Sequence, residues 1–465
     1  CECIMKKTRK VMSRQRYLLI VVLFFHTVNT YMDRVCISSA KGDIMKDLQI
    51  NDQMMGWIFG IFALGYALFQ VPSGWFADRY GPRKALTLVV SLWSTFTALT
   101  GAAFNAVSML VMRFIFGVGE AGAFPGATRA FYKWLPVKER GIAQGINFSG
   151  SRIGAGISYF LMPLVFGLIG WRLTFVANGV VGVLWVTIWL LWFRDNPKEN
   201  PSINQAELDY IEQGRESDFV VSKKVSFAEI FTSSNMFLAM AQYFASNITF
   251  FICLSWLPSY LKDTWGDGAE FYAAIPVFCA ATANWMSGSL VTYLYKKGYH
   301  VGSRRIPAII GFALGAAGLL LATQTQELKT FIIFFSIAIY GVDMTLSPSW
   351  AFCMDIGGDK SGAVSGSMNM VGNIGSAFSA IIFPYFVANI TLPYFAESTG
   401  SANSFFVFAA GLNVLAIIAW VFMNPRRSSA KELSRFAVLA RFAVIISVLT
   451  LLVLITILYK VFWMK

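Results

Sequence analysis

Five ionisable side chains stand in stretches that are otherwise almost wholly apolar: Asp33, Arg34, Arg113, Glu120 and Arg152. A charge deep in a membrane helix costs about 2.5–3.5 kcal/mol on insertion scales, so such residues mark function by default. Arginine is always charged and grips a carboxylate through two parallel hydrogen bonds. A buried aspartate or glutamate can exchange its proton within the working pH range. Together the two types can bind an organic anion and couple it to protons. A proton on Glu120 or Asp33 would free an arginine for the substrate. Arg113 and Glu120 are seven residues apart, two helical turns, and share a face. Three arginines against two carboxylates leave one net positive charge. Internal ion pairs that only hold helices together are the competing reading. His26, one and two turns before Thr30 and Asp33, is either a proton relay or a packed histidine. Asp343 is a rare second-half carboxylate, suited to the cavity or to a local pair, and Tyr243, Gln242 and Asn247 are candidate cavity residues. No phosphate-binding loop, HExxH pair or nucleophile triad occurs, which argues against an enzyme or ATP drive. The six cysteines are scattered and imply neither a disulfide framework nor a zinc site. We expect no cofactor or metal, only the proton as coupling ion.

Long apolar helices must position these charges. Of 465 residues, 56% are hydrophobic and 14% charged, and mean hydropathy is +0.58. Soluble chains carry about 25% charged residues, so the solvent here is the lipid bilayer. Runs of about 20 apolar residues, enough to cross it, fall at 17–40, 54–77, 85–104, 106–130, 141–166, 171–193, 235–261, 269–295, 306–324, 329–351, 361–388 and 403–423. The fold class is therefore all-α and polytopic, with twelve spans. The run 443–462 is a candidate thirteenth. The first run is too long for a cleaved signal sequence and is followed by Asp33-Arg34. Lys and Arg divide unequally between the two sides, about five to one. Such an excess marks the cytoplasm, placing the N-terminus there. The net charge of +13 is thus a topology signal, and nucleic acid is not an expected partner. By depth, Asp33, Arg34, Glu120 and Arg152 lie near or beyond mid-membrane and Arg113 in the outer half, so all five can converge on one cavity.

The polar stretch 194–229, with an amphipathic run from Gln205 to Glu212, is the longest interruption. It divides the chain into a basic tail (1–16), a first six-helix bundle (17–193), the linker, a second bundle (230–425) and an extension (426–465). Two halves of equal span number suggest a secondary transporter with its site between them. After span two the chain reads Gly74-Trp75-Phe76-Ala77-Asp78-Arg79-Tyr80-Gly81-Pro82-Arg83-Lys84. Gly and Pro force a tight turn that holds one carboxylate among three cations, a cluster able to bridge helix ends and break when the halves rock apart. In the second half Thr292 stands at the corresponding carboxylate position, so a matching charge gate is not expected there. Arg129, near the end of span four, is expected to snorkel to the surface.

That loop resembles the signature loop of the major facilitator superfamily. Three further stretches, Asn29–Val35, Gln70–Trp75 and Arg113–Gly122, resemble its anion:cation symporter branch, which includes hexuronate, aldonate and glucarate transporters, sialin and vesicular glutamate transporters. So do Trp256–Tyr260, Ser347–Trp350 and Gly362–Asn369; the likeness covers about 15–425. It implies the major facilitator fold of two six-helix bundles and proton-coupled uptake of an acidic sugar by alternating access. By motif, Arg34 and Arg113 would bind the carboxylate, Asp33 and Glu120 would carry protons, and Tyr31, Trp350 and Asn369 would contact hydroxyls. Gly74, Asp78, Arg79, Gly81 and Arg83 would form the gating loop. Arg152 departs from the branch, where that position is usually polar and uncharged. It implies a second acidic group on the substrate or a pair with Glu120. We expect a monomer in a bacterial inner membrane. An organophosphate or inorganic anion exchanger and a sialic acid transporter stay open as alternatives. A multidrug exporter fits poorly with three central arginines, and a sensor is conceivable only through the extension.

Overall fold

The computed structural model describes residues 12–215, 233–266, 268–389 and 402–425. The extension with its 443–462 run, most of the basic tail and the later part of the linker lie outside the described residues. The described secondary structure is helical: α1 (Gln15–Ser39), α2 (Lys41–Leu48), α3 (Asp52–Tyr80), α4 (Pro82–Thr100), α5 (Ala106–Glu120), α6 (Ala123–Trp134), α7 (Arg140–Trp192), α8 (Gln205–Arg215), α9 (Ser234–Ser255), α10 (Leu257–Trp265), α11 (Ala274–Lys296), α12 (Gly302–Ala322), α13 (Leu328–Met344), α14 (Leu346–Gly357), α15 (Ser361–Asn389) and α16 (Ala402–Phe422). Among the described residues, nine stretches are long and apolar enough to cross a membrane. One of them, Leu328–Ser379, has 52 residues and holds two crossings. α4 and the first limb of α7 are the more polar crossings outside those stretches.

The helix breaks have local causes. α7 joins two crossings through Gly170, whose φ of 76° suits glycine. Pro125, Pro258 and Pro348 lack the N–H that would bond four residues back, and the chain breaks at Gly122, Trp256 and Thr345 just before them. The Met344 carbonyl freed in this way accepts the Ser287 hydroxyl instead. Span four therefore becomes α5 plus α6, and span ten becomes α13 plus α14. The latter runs on to Gly357, beyond the expected end at 351, and so carries Asp355.

α1, α3, α4, α5 and α7 pack on one another, as do α9, α11, α12, α13, α15 and α16. The two bundles meet chiefly where α7 runs beside α11 and α3 beside α15. Glycines permit this approach. A side chain on Gly74 would strike the Gly362 carbonyl, and one on Gly145 would strike the Asn284 carbonyl. The start of α1, the α3–α4 and α11–α12 turns and the end of α16 all lie on one side, here termed the terminal face.

The linker helix α8 docks on this face. Glu207, fully buried, accepts from the Ser13 hydroxyl (2.5 Å), the backbone N–H of Gln15 (2.8 Å) and Arg16 (3.1 Å), and the Arg16 guanidinium (2.9 Å). It caps α1. Burial alone would push its carboxyl up, but these donors together hold it below the ordinary value. The stabilisation is therefore present above the unfolded value of about 4.3 and is lost as pH falls through the lower folded value. We expect Glu207→Gln to lower the melting temperature by a few degrees at pH 7. That gap should close as the pH drops from about 5 to 3. A gap independent of pH would show that the Glu207 charge plays no part.

Candidate functional site

A cavity lined by residues of both bundles lies between them, the usual place for a small-molecule site in a helical bundle. Six residues expected at the site line it: Tyr31, Arg34, Arg152, Asn247, Trp350 and Asn369. Tyr66, Phe124, Phe148, Tyr243, Ser246, Phe250, Phe251, Asp343 and Asn373 also contribute. The wall is thus aromatic and amide-rich, with cations at defined places. Tyr66 and Asn373 carry little signal in the sequence beyond standing four residues from Gln70 and Asn369.

Arg34 joins the cavity to the charges behind it. Its Nε donates to Glu120 at 2.8 Å, and its side chain is 15% exposed while Glu120 is fully buried. The rings of Tyr66 (4.5 Å), Tyr31 (4.8 Å) and Phe62 (5.3 Å) surround its guanidinium. Arg113, Asp33 and Glu120 do not line the cavity. The Arg113 guanidinium lies over Phe116 at 4.2 Å and Phe62 at 5.0 Å, and is 2% exposed. Asp33, 1% exposed, is its electrostatic neighbour and that of Glu120. The four charges thus form one cluster in the first bundle, of which only Arg34 reaches the cavity.

Arg152 is not paired with Glu120, as one sequence reading had it. It crosses to the other bundle and grips Asp343 with two bonds, Nε to Oδ2 at 2.8 Å and Nη2 to Oδ1 at 2.9 Å. Three arginines therefore face three carboxylates, and the net positive charge counted from the first half disappears. The hydroxyl-binding candidates are tied together: Trp350 donates to the Tyr243 hydroxyl (3.0 Å), and the Asn369 amide to Gln70 (3.0 Å) and Tyr66 (3.4 Å). Asn247 donates to the Tyr243 carbonyl (2.8 Å). Gln242 points elsewhere, accepting from Trp420 and Ser349 (both 3.3 Å). His26 is packed between Trp93 (5.1 Å) and Trp185 (4.9 Å), with no protein hydrogen-bond partner on its ring.

The terminal side of the cavity is sealed by polar contacts between the bundles. Residues 74–80, read as a loop, are the last turns of α3; the turn itself is Gly81, at φ 87°. Asp78 accepts the backbone N–H of Gly362 (2.9 Å) and Ala363 (2.7 Å). These are the free donors at the start of α15, where a carboxylate is favoured. Arg129 does not snorkel. It is 5% exposed and lies between Asp78 (3.5 Å), the Gly358 carbonyl (3.3 Å) and Asp359 (3.4 Å). Gly74 abuts Gly362 of the second bundle, whereas the two arginines of the gating set serve their own bundle. Arg83 bonds Asp195 (2.9 Å) through its N–H and the Leu190 carbonyl (2.6 Å) through its side chain. Arg79 lies against Trp75 and Tyr80.

The second half does bring a charged contact to the interface, where Thr292 gave no reason to expect one. Asp355 pairs with Arg304 at 2.8 Å and, across the interface, with Arg140 at 3.5 Å. Thr292 itself accepts the Ile142 N–H at 3.2 Å. The charge stands not at the helix end that matches Asp78 but on the extension of α14. We expect Asp78→Asn to shift the carrier toward the state open at the terminal face. A cysteine placed near the cavity should then label from that face at least fivefold faster, because charged hydrogen bonds worth about 1.5–3 kcal/mol are weakened. Unchanged labelling would remove Asp78 from the seal.

A two-bundle α-helical membrane protein, with a central cavity of paired charges and a polar seal on one side, has the architecture of a solute carrier. The chain matches the Major Facilitator Superfamily model over residues 23–380. It belongs to that superfamily and is a transporter, not an enzyme. A probable sulfoacetate transporter of Cupriavidus necator is 30% identical, over 89% of this chain and 94% of its own length. A probable galactarate/D-glucarate transporter of Bacillus subtilis is also 30% identical, over 88% and 91%. A hexuronate transporter of the same species is 29% identical over 89% and 96%. The solved proton:xylose symporter bound to a bromodeoxyglucose matches with a TM-score of 0.70, covering 88% of this chain and 96% of its own, at 13% identity. That last likeness is one of fold. The chain thus resembles the anion:cation symporter branch through its relatives as well as its motifs.

Proposed function

We propose that this protein imports an acidic small molecule, such as a hexuronate, aldonate or aldarate, together with protons. It acts as a monomer in a bacterial inner membrane, with the terminal face in the cytoplasm. The observation that carries the reading is the Arg34–Glu120 pair at the cavity wall. A substrate carboxylate takes the guanidinium from Glu120, and the displaced carboxylate takes a proton rather than stay charged and buried. One negative charge and one proton enter together, so binding adds no net charge. Asp33, behind the wall beside Arg113, relays that same proton to and from Glu120. Tyr31, Trp350, Asn369 and Asn247 offer groups to hydroxyls on the substrate, and Arg113 holds the field that keeps Glu120 poised. The loaded carrier then opens the Asp78 and Asp355 seals.

Uptake into proteoliposomes of a panel of uronates, aldonates, aldarates and sialic acid, at pH 5.5 and 7.5, tests this. The expected result is saturable uptake of one class, at least fivefold faster with acid outside. Uptake of phosphate esters by counterflow, indifferent to pH, would overturn it in favour of an anion exchanger.

A further inference from the structure

Arg152 and Asp343 form a second anchor that the single-carboxylate reading does not use. Both line the cavity and both are buried, at 4% and 1% exposure. Arg152 belongs to α7 of the first bundle and Asp343 to α13 of the second, so the pair spans the interface. The other two ion pairs described across it, at Asp359 and Asp355, lie at the terminal face. Asn284 on α11 donates to Asp343 Oδ2 at 2.9 Å, and the Arg152 guanidinium stacks on Phe250 at 3.7 Å. A buried ion pair is often no more stabilising than an apolar pair of the same volume, so structure alone gives little reason to keep one beside a cavity. Tyr31 stands between the two cavity arginines, its ring 4.8 Å from the Arg34 guanidinium and 5.9 Å from that of Arg152. One compact ligand can therefore reach both.

We propose that the Arg152–Asp343 pair makes this a site for dianions, with Asp343 as a second proton-exchanging carboxylate. The inference rests on the proton-coupled reading of the Arg34–Glu120 pair. Each cavity arginine is already neutralised by one protein carboxylate, so each accepts a substrate acid group only by displacing that carboxylate. A ligand with an acid group at either end displaces both. Glu120 and Asp343 then each take up one proton from the medium, two negative charges enter with two protons, and the charge of the site is unchanged. A monoanion leaves the second pair intact, still tying α7 to α13. The pair thus selects for the second acid group and ties the bundles until that group arrives. The titratable and charged groups facing Asp343 are Arg152 from α7 and Cys253 from α9, with Tyr243 and Tyr31 reaching it through Arg152. α11 presents Asn284, and α12 packs Gly311, Gly315 and Gly318 against α13.

Purified carrier in proteoliposomes is assayed with D-glucarate and D-gluconate, which share a skeleton and differ by one acid group. The expected result is at least a tenfold lower KM for glucarate and two protons carried with each, read from the pH gradient that just balances its concentration gradient. Arg152→Gln should abolish the preference, with the KM for glucarate rising at least tenfold to that for gluconate. Asp343→Asn should keep the preference and carry one proton per glucarate. Because a single change leaves a buried charge unpaired, the double variant R152Q/D343N is the check on folding: neutral, and expected to match wild-type melting within a few degrees, with no preference. Equal KM values in the wild type, or a double variant that still prefers glucarate tenfold, would overturn the dianion site. Two protons retained in Asp343→Asn would overturn its proton role. Uptake of neither acid would overturn the sugar-acid reading, and this inference with it.

Discussion

Replacing Glu120 with glutamine is expected to abolish accumulation of a monoanionic acid such as gluconate driven by a pH gradient while its exchange across the membrane continues. Glutamine keeps the shape and a carbonyl acceptor for Arg34, 2.8 Å away in the wild type, but takes up no proton. Arg34 is then permanently available to an anion, so binding persists or tightens, and the coupling step is lost. One pH unit corresponds to about 1.4 kcal/mol per proton, a tenfold accumulation. The wild type should reach such a ratio and the variant should stay near equality. Removing one partner of a buried pair costs about 3–5 kcal/mol, yet Arg34 is partly exposed and keeps its three aromatic neighbours, so the variant should fold. Counterflow of radiolabelled substrate in the same vesicles separates the two outcomes. Undiminished accumulation with a pH gradient would remove Glu120 from the coupling mechanism.

Arg34→Gln should have the other large effect, a loss of substrate binding. A charge-assisted, desolvated contact is worth about 2–5 kcal/mol when truncated, and about 3 kcal/mol is a factor near a hundred in affinity. Arg34→Lys should recover only part of this, because an ammonium lacks the planar fork that matches a carboxylate. Arg113→Gln is the informative comparison. Its guanidinium lies behind the wall over Phe116 and Phe62, so its loss should act through Asp33 and Glu120, and pH dependence should change more than KM. Ligand-induced thermal shift and uptake kinetics report both. Wild-type affinity in Arg34→Gln would refute the anchor.

Much of the site was legible because lipid makes charge conspicuous. Arg34, Arg113, Glu120 and Asp33 stand out against apolar runs, and the structure gathers all four into one cluster of the first bundle. The sequence could not divide that cluster into a cavity member and a buried layer, since α1 and α5 each present several faces. Tyr31, Trp350, Asn369 and Asn247 were named from motif and depth, and all four line the cavity. Gln242 and His26 were not separable from them. Each is a polar residue in a span, and only packing against Trp420 and Ser349, or between two tryptophans, decides its role. Arg129 looked like a residue able to reach the surface, yet Asp78 and the start of α15 hold it inside.

By itself, the sequence determined the class of molecule: a chain too apolar for water, with cations to one side, two halves of six crossings and a few costly charges near their middle. Local rules suffice there, because span length, charge bias and helix-breaking prolines act over a few residues. Tertiary structure decided which charges pair. Arg152 meets Asp343 across 191 residues of chain, and Arg140 meets Asp355 on a helix that runs past its expected end. A salt bridge depends on where two bundles place their faces, and that is set by glycine-lined packing of α3 on α15 and α7 on α11, which no local pattern specifies.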